Sequence, residues 1–366
     1  MSGSMRCSTW REGGPSVNHR PAVPPRAILV IQLGDIGDVA LTLPGLQALR
    51  AAFPGAAIAM VVRKKAVELA RCCPFLDESF AVPQGVSWTE QLDFFRNLRR
   101  RRFDWAIDLR TGTRGAFLAF LSGAPNRLAF RETGERLRNA LFNRLVTPDT
   151  IPHQHILDYQ QRLFAALGCP PPDSCARLLD PAAFRPAVDR LLAEAGVHAS
   201  ERLVAFQPFS LWAYKEWGVE RFRELAARVR SRWPVRIAVC GAEADRPGAS
   251  QIVGGTDGIN LAGQTTLGMY AALLARCELL VSVDSSGPHL AAAVGTPTVT
   301  IYGPTSPRTW APRGGRHTVV QPQEGCVPCL TTGCEGSGKS RCLDELPVEK
   351  VLAAVAARLD EGGKKG

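Results

Sequence analysis

Short apolar runs alternate with segments of helical spacing along most of the chain. Residues 27–33 (AILVIQL) predict a buried parallel strand, and the apolar residues that follow it recur at the spacing of a helix. Pro44 lies too deep in a helix that begins at Asp38 and should kink it, unless Thr42 caps a later start. An apolar strand, a Gly-rich turn and a helix in this order are the layout of a phosphate-binding loop.

The same alternation of strands and helices continues in both halves of the chain. Further strands are predicted at residues 56–62, 103–109, 202–208, 235–241, 278–283 and 298–304. Helices are predicted at residues 64–73, 153–167, 219–232, 267–276 and 348–359, with an Arg-rich helix ahead of the strand at 103–109. This alternation predicts an α/β fold with two doubly wound, Rossmann-like parallel sheets. Their ligands should bind at the carboxyl ends of the strands, in the cleft between the two domains.

The length of 366 residues exceeds the usual size of one domain, so two α/β domains are the expected organisation. A Pro-rich stretch at 169–186 indicates the exit from the first domain. Residues 1–26 lack the apolar core of a secretory signal, and we expect a disordered leader there. The expected order is the leader, a first domain at 27–185, a second domain at 200–325, a four-cysteine segment at 326–342 and a C-terminal helix at 345–360.

The composition indicates a globular protein that stays in the cytoplasm. Hydrophobic residues make up 45% of the chain and charged residues 21%. No apolar run approaches the roughly 20 residues that a membrane-spanning helix needs. The chain has eleven cysteines, but without an export signal a disulfide framework is not expected.

Positive charge is concentrated in one segment of the chain. The net charge is +10, and residues 96–144 carry twelve arginines against four acidic residues. Such a segment attracts polyanions, which include nucleic acid, an anionic membrane face and a phosphorylated substrate. A solvated helix face explains the same charge equally well. Nothing near the segment matches a nucleic-acid-binding motif, so charge alone does not carry that interpretation.

The turn after the first strand carries two carboxylates where a phosphate would otherwise bind. Gly34 and Gly37 allow a tight turn, but the G-x-G-x-x-G spacing of a dinucleotide site is missing. Asp35 and Asp38 would repel a phosphate here despite the favourable helix dipole. A carboxylate at the end of a strand suits a general base that deprotonates a hydroxyl. The alternative is that Asp38 only caps the helix.

Two stretches in the second half of the chain predict an anion site instead. Ser210 follows a strand, where loop N–H groups can face an anion, and Lys215 adds a charge that can reach a diphosphate. A surface lysine beside a packed tryptophan is the alternative for Lys215. The second stretch is a strand followed by a loop and a helix of small residues, and its loop consists of Asp284, Ser285, Ser286 and Gly287.

The hydroxyls and amides of this second loop point at a helix start, which makes an anion cradle. Asp284 is the exception, and its carboxylate could bond a sugar or ribose hydroxyl instead. Thr305 follows the next strand and should lie at the same rim. His289, in the helix, is either a donor-site residue or a structural histidine.

Four cysteines near the C-terminus are a metal-binding candidate. They are Cys326, Cys329, Cys334 and Cys342, spaced C-x2-C-x4-C-x7-C. In a reducing compartment such a knuckle most often binds Zn, with an iron centre as the second option. Four reduced thiols in a loop are the alternative. A closed site of four thiolates leaves no open position for substrate, so we assign the segment no catalytic role.

Several of these stretches together resemble glycosyltransferase family 9, the ADP-heptose:lipopolysaccharide heptosyltransferases. In chain order they are IQLGDIGDVALTLPGLQALRAAFP, PFSLWAYKEW, CGAEADR, VDSSGPHLAAAVGTPTVTIYGPTSPRTWAP and the terminal cysteine segment. The resemblance runs from about residue 27 to the C-terminus. It implies a GT-B fold, with the acceptor on the N-terminal side of a cleft and the sugar nucleotide on the C-terminal side. It also implies inverting catalysis that needs no metal.

The resemblance further implies roles for individual residues. Asp38 matches the family's catalytic aspartate, and Lys215 matches the lysine on the donor diphosphate. Asp284 matches the acid of the donor loop, and Glu243 is a candidate for the ribose hydroxyls. The donor-binding residues assigned in this way are Ser210, Lys215, Glu243, Asp284, Ser285, Ser286, Gly287, His289 and Thr305. Acid on the first domain would then deprotonate the attacking hydroxyl, while positive charge on the second stabilises the departing ADP.

The family's acceptor is the phosphorylated inner core of lipopolysaccharide, held at the cytoplasmic face of the inner membrane. The Arg-rich segment fits it as an acceptor or membrane-docking surface. Candidate acceptor-binding residues are Asp35, Arg110 and Arg114, and Arg127 belongs to the same segment.

The leading hypothesis is transfer of a heptose from ADP-heptose to this inner core by a cytoplasmic enzyme that contacts the membrane peripherally. One alternative keeps the fold but uses another nucleotide-sugar or acceptor. The other is a non-catalytic polyanion- or nucleic-acid-binding protein that uses the Arg-rich segment and the cysteines. Intact Asp38, Lys215 and Asp284 speak against the second alternative, and we expect no nucleic-acid partner.

Overall fold

The computed structural model describes residues 19–85, 87–148, 154–173 and 177–362. The chain divides into two compact units, Met1–Leu178 and Leu179–Gly366. Residues 179–185, which we had assigned to the first domain, therefore pack with the second unit. Most of the expected leader, residues 1–18, lies outside the described residues. The part that is described is held to the first unit, since the backbone N–H of His19 donates to the carbonyl O of Ala166 at 2.8 Å.

The first unit is a parallel sheet with helices on both faces. Its strands are β1 (Ala27–Gln32), β2 (Ala57–Arg63), β3 (Glu78–Val82), β4 (Trp105–Asp108), β5 (Asn126–Phe130) and β6 (Arg144–Val146). Its helices are α1 (Ile36–Ala52), α2 (Val67–Arg71), α3 (Trp88–Arg100), α4 (Thr113–Leu121), α5 (Arg136–Ala140) and α6 (Ile156–Ala166). The strands lie in the order β3-β2-β1-β4-β5-β6, and every recorded pair is parallel.

The apolar runs of the first unit lie where the sheet is covered on both faces. All six residues of β1 are buried, because β1 pairs with β2 on one side and β4 on the other. Central strands of such sheets are apolar throughout, which is why their runs predict strands without any alternation. The predictions at 27–33, 56–62 and 103–109 are confirmed as β1, β2 and β4.

Helix α1 differs from the prediction at its start. It begins at Ile36 with Asp35 as the N-cap residue, and it continues through Pro44 to Ala52. Thr42 therefore does not cap a later helix. Its buried hydroxyl donates to the carbonyl O of Asp38 at 2.9 Å and accepts from the side-chain amide of Gln32 at 3.0 Å. The hydroxyl thus joins the first turns of α1 to the end of β1.

The second unit repeats the architecture. Its strands are β7 (Arg202–Gln207), β8 (Val235–Val239), β9 (Ile259–Asn260), β10 (Leu279–Val283), β11 (Thr298–Ile301) and β12 (His317–Val320). Its helices are α7 (Arg185–Glu194), α8 (Val219–Arg232), α9 (Arg246–Val253), α10 (Leu267–Arg276), α11 (Gly287–Val294), α12 (Pro307–Trp310), α13 (Arg341–Asp344) and α14 (Val348–Gly362). The strand order is β12-β11-β10-β7-β8-β9. The last helix packs on this sheet, and Val351, Val355 and Leu359 belong to its core.

Both units therefore have the Rossmann strand order, in which the first and fourth strands are neighbours. From β1 the chain continues through β2 and β3 to one edge of the sheet, and from β4 it continues through β5 and β6 to the opposite edge. A crevice therefore opens outside the carboxyl ends of β1 and β4, where the direction reverses. The matching position in the second unit lies outside β7 and β10. Within the described ranges, no helix has the length and apolar character needed to cross a membrane.

Candidate active site

Asp38 lies in the first turn of α1, just past the end of β1, and both of its carboxylate oxygens have partners. Oδ2 accepts from the backbone N–H of Asp35 at 2.8 Å, and Oδ1 lies 3.2 Å from Nη1 of Arg110. Gly34 allows this close turn, because a Cβ there would lie 2.3 Å from Asp38 Oδ2. The Asp38 side chain remains 20% exposed. It therefore combines a capping contact with access for a substrate, and the two interpretations of Asp38 do not exclude each other.

The carboxylate of Asp35 pairs with two cations at the end of β2, its last residue Arg63 and Lys65 two residues further on. Its Oδ1 lies 2.7 Å from Nζ of Lys65 and 3.2 Å from Nη1 of Arg63. The hydrogen bond from Lys65 lowers the pKa of Asp35, although partial burial opposes it. All three side chains are exposed, so the pairs add little to stability but keep two cations beside the turn. Sequence reasoning missed Arg63 and Lys65, although a basic run directly after a predicted strand was a visible signal.

A buried ion pair holds the backbone of Arg110. Nη2 of Arg138 lies 3.5 Å from Oδ2 of Asp108, and both side chains are fully buried. The same Nη2 donates to the carbonyl O of Arg110 at 2.8 Å, while Asp108 Oδ1 accepts from the Arg110 N–H at 3.2 Å. Burial raises the pKa of Asp108 to about 7, against the opposing effect of its hydrogen bond to Arg110 and the charge of Arg138. The pair fixes the residue whose guanidinium faces Asp38.

Two other arginines of the Arg-rich segment contact backbone carbonyls of the first unit. Nη2 of Arg114 donates to the carbonyl O of Pro83 at 2.7 Å, just past β3. Nε of Arg127 donates to the carbonyl O of Leu141 at 2.7 Å. The structure therefore brings Arg110 to Asp38 and directs Arg114 toward the end of β3. Acceptor binding by these arginines and by Asp35 stays a prediction.

In the second unit, Asp284 is the centre of a cluster of predicted donor residues. Its Oδ2 lies 2.7 Å from Nζ of Lys215 and accepts from Oγ1 of Thr305 at 2.7 Å. The hydroxyl of Ser210 donates to the carbonyl O of Asp284 at 3.5 Å. Side chains from the loops after β7, β10 and β11 thus meet at one edge of the sheet. Lys215 is not the isolated surface lysine of the alternative interpretation, because Asp284 holds it in this cluster.

The start of α11 packs tightly on the end of β7. A Cβ at Gly287 would lie 1.9 Å from Oε1 of Gln207, so only glycine allows this approach. The hydroxyl of Tyr270 donates to the same Oε1. The first N–H groups of a helix lack partners within the helix and carry its positive dipole end, which suits an anion beside Asp284. Sequence reasoning missed Gln207 and Tyr270, since only the fold brings them to this helix start.

The remaining donor candidates lie on the same loops. Ser286 is the N-cap residue of α11, and the Ser285 hydroxyl donates to the carbonyl O of Val283 at 3.3 Å. His289 is buried within α11. Glu243 follows β8, beside β7 in the sheet, and forms an exposed pair with Arg246 at 3.5 Å. Contact of these residues with a donor stays a prediction.

The four cysteines differ in their surroundings. Cys326 is exposed, Cys329 and Cys334 are partly exposed, and Cys342 is buried. Within the residues that the structure describes, no three His, Cys, Asp or Glu side chains are grouped as metal ligands. Zn or Fe binding at these thiols stays a prediction.

The carboxyl ends of the strands carry different chemical groups in the two units. In the first unit, Asp38 is a partly exposed carboxylate, which suits removal of a proton from a hydroxyl, and Arg110 lies beside it. In the second unit, a lysine, two hydroxyls and a helix start surround one loop, which suits a phosphorylated ligand. Three cations lie beside the two carboxylates of the first unit's turn, and Asp284 pairs with Lys215 in the second unit, so the predicted division of acid and positive charge between the units stays a prediction.

Comparisons with known proteins agree with this geometry. The chain matches the profile of glycosyltransferase family 9 (heptosyltransferase) over residues 91–339. It is 28% identical over 342 residues to lipopolysaccharide heptosyltransferase 1 of Pseudomonas aeruginosa, covering 89% of this chain and 92% of that protein. The fold superposes on a family 9 glycosyltransferase from Veillonella parvula with a TM-score of 0.79 and 24% identity, covering 94% and 98% of the two chains. The Escherichia coli heptosyltransferase WaaC with ADP-2-deoxy-2-fluoro heptose gives a TM-score of 0.71 at 21% identity, with coverage of 90% and 99%.

The profile covers more than half of the chain, so the protein belongs to glycosyltransferase family 9, the heptosyltransferases. It is a glycosyltransferase, and the expected GT-B fold of two Rossmann-like domains is confirmed. These relatives do not favour the non-catalytic alternative.

Proposed function

We propose that the protein is an inverting heptosyltransferase that transfers a heptose from ADP-heptose to the inner core of lipopolysaccharide. The observation that carries this proposal is the cluster of Lys215, Asp284 and Thr305 beside the start of α11. It supplies cationic and hydroxyl partners for a sugar diphosphate, while the carboxylate of Asp38 lies on the other unit. The relative from Pseudomonas aeruginosa is a lipopolysaccharide heptosyltransferase, and the E. coli structure contains an ADP-heptose analogue.

In the proposed reaction, the acceptor hydroxyl attacks the anomeric carbon of the heptose while Asp38 takes the hydroxyl proton. The bond between that carbon and the phosphate oxygen breaks, and ADP leaves with the electron pair. Lys215 and the N–H groups at the start of α11 stabilise the negative charge that grows on the departing diphosphate. Arg110, 3.2 Å from Asp38 Oδ1, keeps the carboxylate oriented toward the substrate side of the turn.

The acceptor side of the proposal rests on the first unit. Arg63, Lys65 and Arg110 place three guanidinium or ammonium groups around the two acidic residues of the turn. Such groups suit the phosphates of an acidic oligosaccharide. We place the reaction in the cytoplasm, at the surface of the inner membrane where a lipid-linked acceptor is held.

The direct test is a transfer assay with defined substrates. The protein is incubated with ADP-heptose and a truncated core acceptor, with UDP- and GDP-sugars in parallel, and the product is identified by mass spectrometry. We expect heptosylated acceptor only with the ADP donor and only when acceptor is present. Product from another nucleotide-sugar would show that the protein is a glycosyltransferase with a donor other than ADP-heptose. Stabilisation by a short RNA, with no response to any nucleoside diphosphate in a thermal-shift screen, would refute the enzyme proposal.

A structural Zn or Fe ion at the four cysteines is a separate proposal with no part in this chemistry. Metal analysis of protein purified without an affinity tag tests it. About one equivalent of metal that Cys342→Ser removes would support the proposal. Metal-free protein with unchanged transfer activity would refute it.

A further inference from the structure

Helices α3 and α4 expose a band of large apolar side chains outside the site described above. Trp88 is 87% exposed, Leu92 49%, Phe117 45% and Phe120 49%. Single exposed apolar residues are common on proteins, but large contiguous patches mark interaction surfaces. We call these four residues the α3–α4 surface.

Helices α3 and α4 border one cavity of about 380 Å³, whose lining includes Gln91 and Phe95 of α3 and Arg114 and Phe117 of α4. Phe117 is the member of the α3–α4 surface that lines it. Trp88, Leu92 and Phe95 follow one another at spacings of four and three residues, so they form one stripe along α3. Phe95 packs against the core cluster of this unit, and Leu98, three residues further along α3, is fully buried in that cluster. Trp88 and Leu92 continue the same stripe but stay exposed, so these two side chains are additional to what α3 needs for packing.

Arginines surround the apolar band. The guanidinium of Arg127 stacks over the Phe120 ring at 5.5 Å from its centroid. The side chain of Arg99 runs beside Gly123 at the end of α4, where a Cβ would lie 3.3 Å from its Nε. Arg96 is exposed on α3 and pairs with Asp93 at 3.3 Å. Arg114 lines the cavity itself. The rim is thus mainly cationic around an apolar centre.

This combination fits a bilayer that contains anionic lipids. Tryptophan prefers the boundary between acyl chains and headgroups, and arginine stems can lie along apolar surface while their charged ends reach lipid phosphates. The cationic rim is complementary to the negative potential of such a surface.

We propose that the α3–α4 surface docks the protein on anionic bilayers, with Trp88 and Leu92 entering the interface and the surrounding arginines contacting lipid phosphates. This inference extends the proposed function, because it names the surface by which the enzyme would reach a membrane-held acceptor.

The test measures binding of the full chain to vesicles by flotation, with phosphatidylglycerol mixed into phosphatidylcholine and with phosphatidylcholine alone. We expect binding to the anionic vesicles only. The double variant Trp88→Ser/Leu92→Ser should lower that binding at least tenfold. Leu137→Ser is the matched control, since Leu137 is 68% exposed on α5 of the same unit, and it should bind as the parent does.

Several results would overturn the inference. They are unchanged vesicle binding by the double variant, no binding of the parent to anionic vesicles, or equal binding to neutral ones. Binding to native membranes that protease treatment of those membranes abolishes would assign the surface to a protein partner instead. Thermal unfolding of the double variant checks that it folds, which its exposed positions lead us to expect.

A second measurement separates this inference from the proposed function. Transfer to a water-soluble, delipidated core acceptor should be unchanged in the double variant, while transfer to an acceptor embedded in anionic vesicles should fall about as much as binding does. Failure of the parent protein to modify the soluble acceptor would count against the proposed function. Normal soluble transfer with undiminished vesicle transfer in the variant would count against the docking surface.

Discussion

Asp38 and Lys215 are the two residues on which the proposed chemistry depends, and each has a partner that the structure identifies. Asp38 is fixed by the Asp35 N–H on one oxygen and by Arg110 near the other. Lys215 is fixed by Asp284. Both side chains are oriented by other side chains or by backbone before they meet a substrate, which lowers the cost of organising the site during reaction.

Replacement of Asp38 by Asn should remove the base and keep the capping contact, because an amide oxygen can still accept from the Asp35 N–H. General-base catalysis contributes typically about 10²–10⁴-fold, so we expect at least a hundredfold lower transfer rate. ADP affinity, measured by calorimetry, should not change. Asp189→Asn, an exposed change on α7 of the second unit, is the control and should retain the activity. A parallel loss of ADP affinity in Asp38→Asn would move Asp38 to the donor side.

Replacement of Lys215 by Ala should weaken donor binding. A hydrogen bond to a charged group contributes about 1.5–3 kcal/mol, so we expect ADP affinity to fall by roughly 10- to 100-fold. Lys350→Ala is the matched control on the same unit, since Nζ of Lys350 donates to the carbonyl O of Gln321 at 2.6 Å. Calorimetric titration with ADP measures both variants. Unchanged affinity in Lys215→Ala would remove Lys215 from the donor site.

At the scale of elements, the ion pair between Asp108 and Arg138 ties the end of β4 to α5. Nη1 of Arg138 also donates to the carbonyl O of Phe130, the last residue of β5, at 2.8 Å. One buried guanidinium therefore joins two strands, a helix and the Arg110 loop. Arg138 belongs to the Arg-rich segment, residues 96–144, which the sequence suggests as a docking surface. Because Arg138 is buried, the surface of this segment carries less positive charge than a count of its arginines suggests.

Arg138→Met should destabilise the protein strongly. In urea unfolding at pH 8, where Asp108 with its pKa of about 7 is mostly ionised, removing one partner of the buried ion pair should cost about 3–5 kcal/mol, because the other charge stays buried without compensation. Arg136→Met, an exposed change on the same helix, should stay within about 0.5 kcal/mol of the parent. Urea unfolding measures both. Equal stabilities of the two variants would mean that the pair does not hold β4, β5 and α5 together.

Asp108 should also give the stability a pH dependence of defined sign. Its pKa is raised from 3.8 to about 7 by burial, so between these values the folded state holds a proton that the unfolded state has released. The contribution of Asp108 to the free energy of unfolding is fully present below pH 3.8 and is lost as the pH rises through about 7. The loss amounts to at most about 1.4 kcal/mol per pH unit. Asp108→Asn should remove that component from unfolding curves recorded at pH 5, 6, 7 and 8. An identical pH profile in the variant would contradict the raised pKa.

Sequence reasoning missed the strands β3, β5, β6, β9 and β12. None of these strands contains more than three consecutive apolar residues, so no apolar run marks them in the sequence. Residues of the site could be predicted only where a recognisable strand precedes their loop. This holds for Asp38, Lys215 and Asp284, which follow β1, β7 and β10. Arg138 donates a hydrogen bond to Arg110, 28 residues away in the sequence, and Tyr270 donates one to Gln207, 63 residues away. No local sequence pattern encodes such contacts.

At the scale of the whole molecule, the two units have the same strand order but carry different polar groups in the loops at the carboxyl ends of their strands. The first unit presents an acidic turn bordered by cations, and the second presents a lysine and hydroxyls around a helix start. A repeated architecture can therefore carry two different sites, because the loops and not the sheets carry the difference.

Hydrogen exchange of the full chain with and without ADP should show this division of labour. We expect ADP to slow exchange in the loops at 208–216, 284–288 and 302–306, and to leave residues 33–40 unchanged. Mass spectrometry of peptides from these regions provides the measurement, with the first unit as the internal control. Protection confined to residues 33–40 would place the diphosphate on the acidic turn and reverse the assignment of the two units.

The contact between Lys215 and Asp284 has a consequence for selectivity. The protein supplies its own anion to the ammonium group, so an incoming ligand must exchange with a carboxylate that is already well placed. A diphosphate, with more than one negative charge, can win that exchange. A free sugar offers only hydroxyls and cannot. In the proposed donor site, this internal ion pair would therefore discriminate against unactivated sugars before any contact with the sugar ring is made.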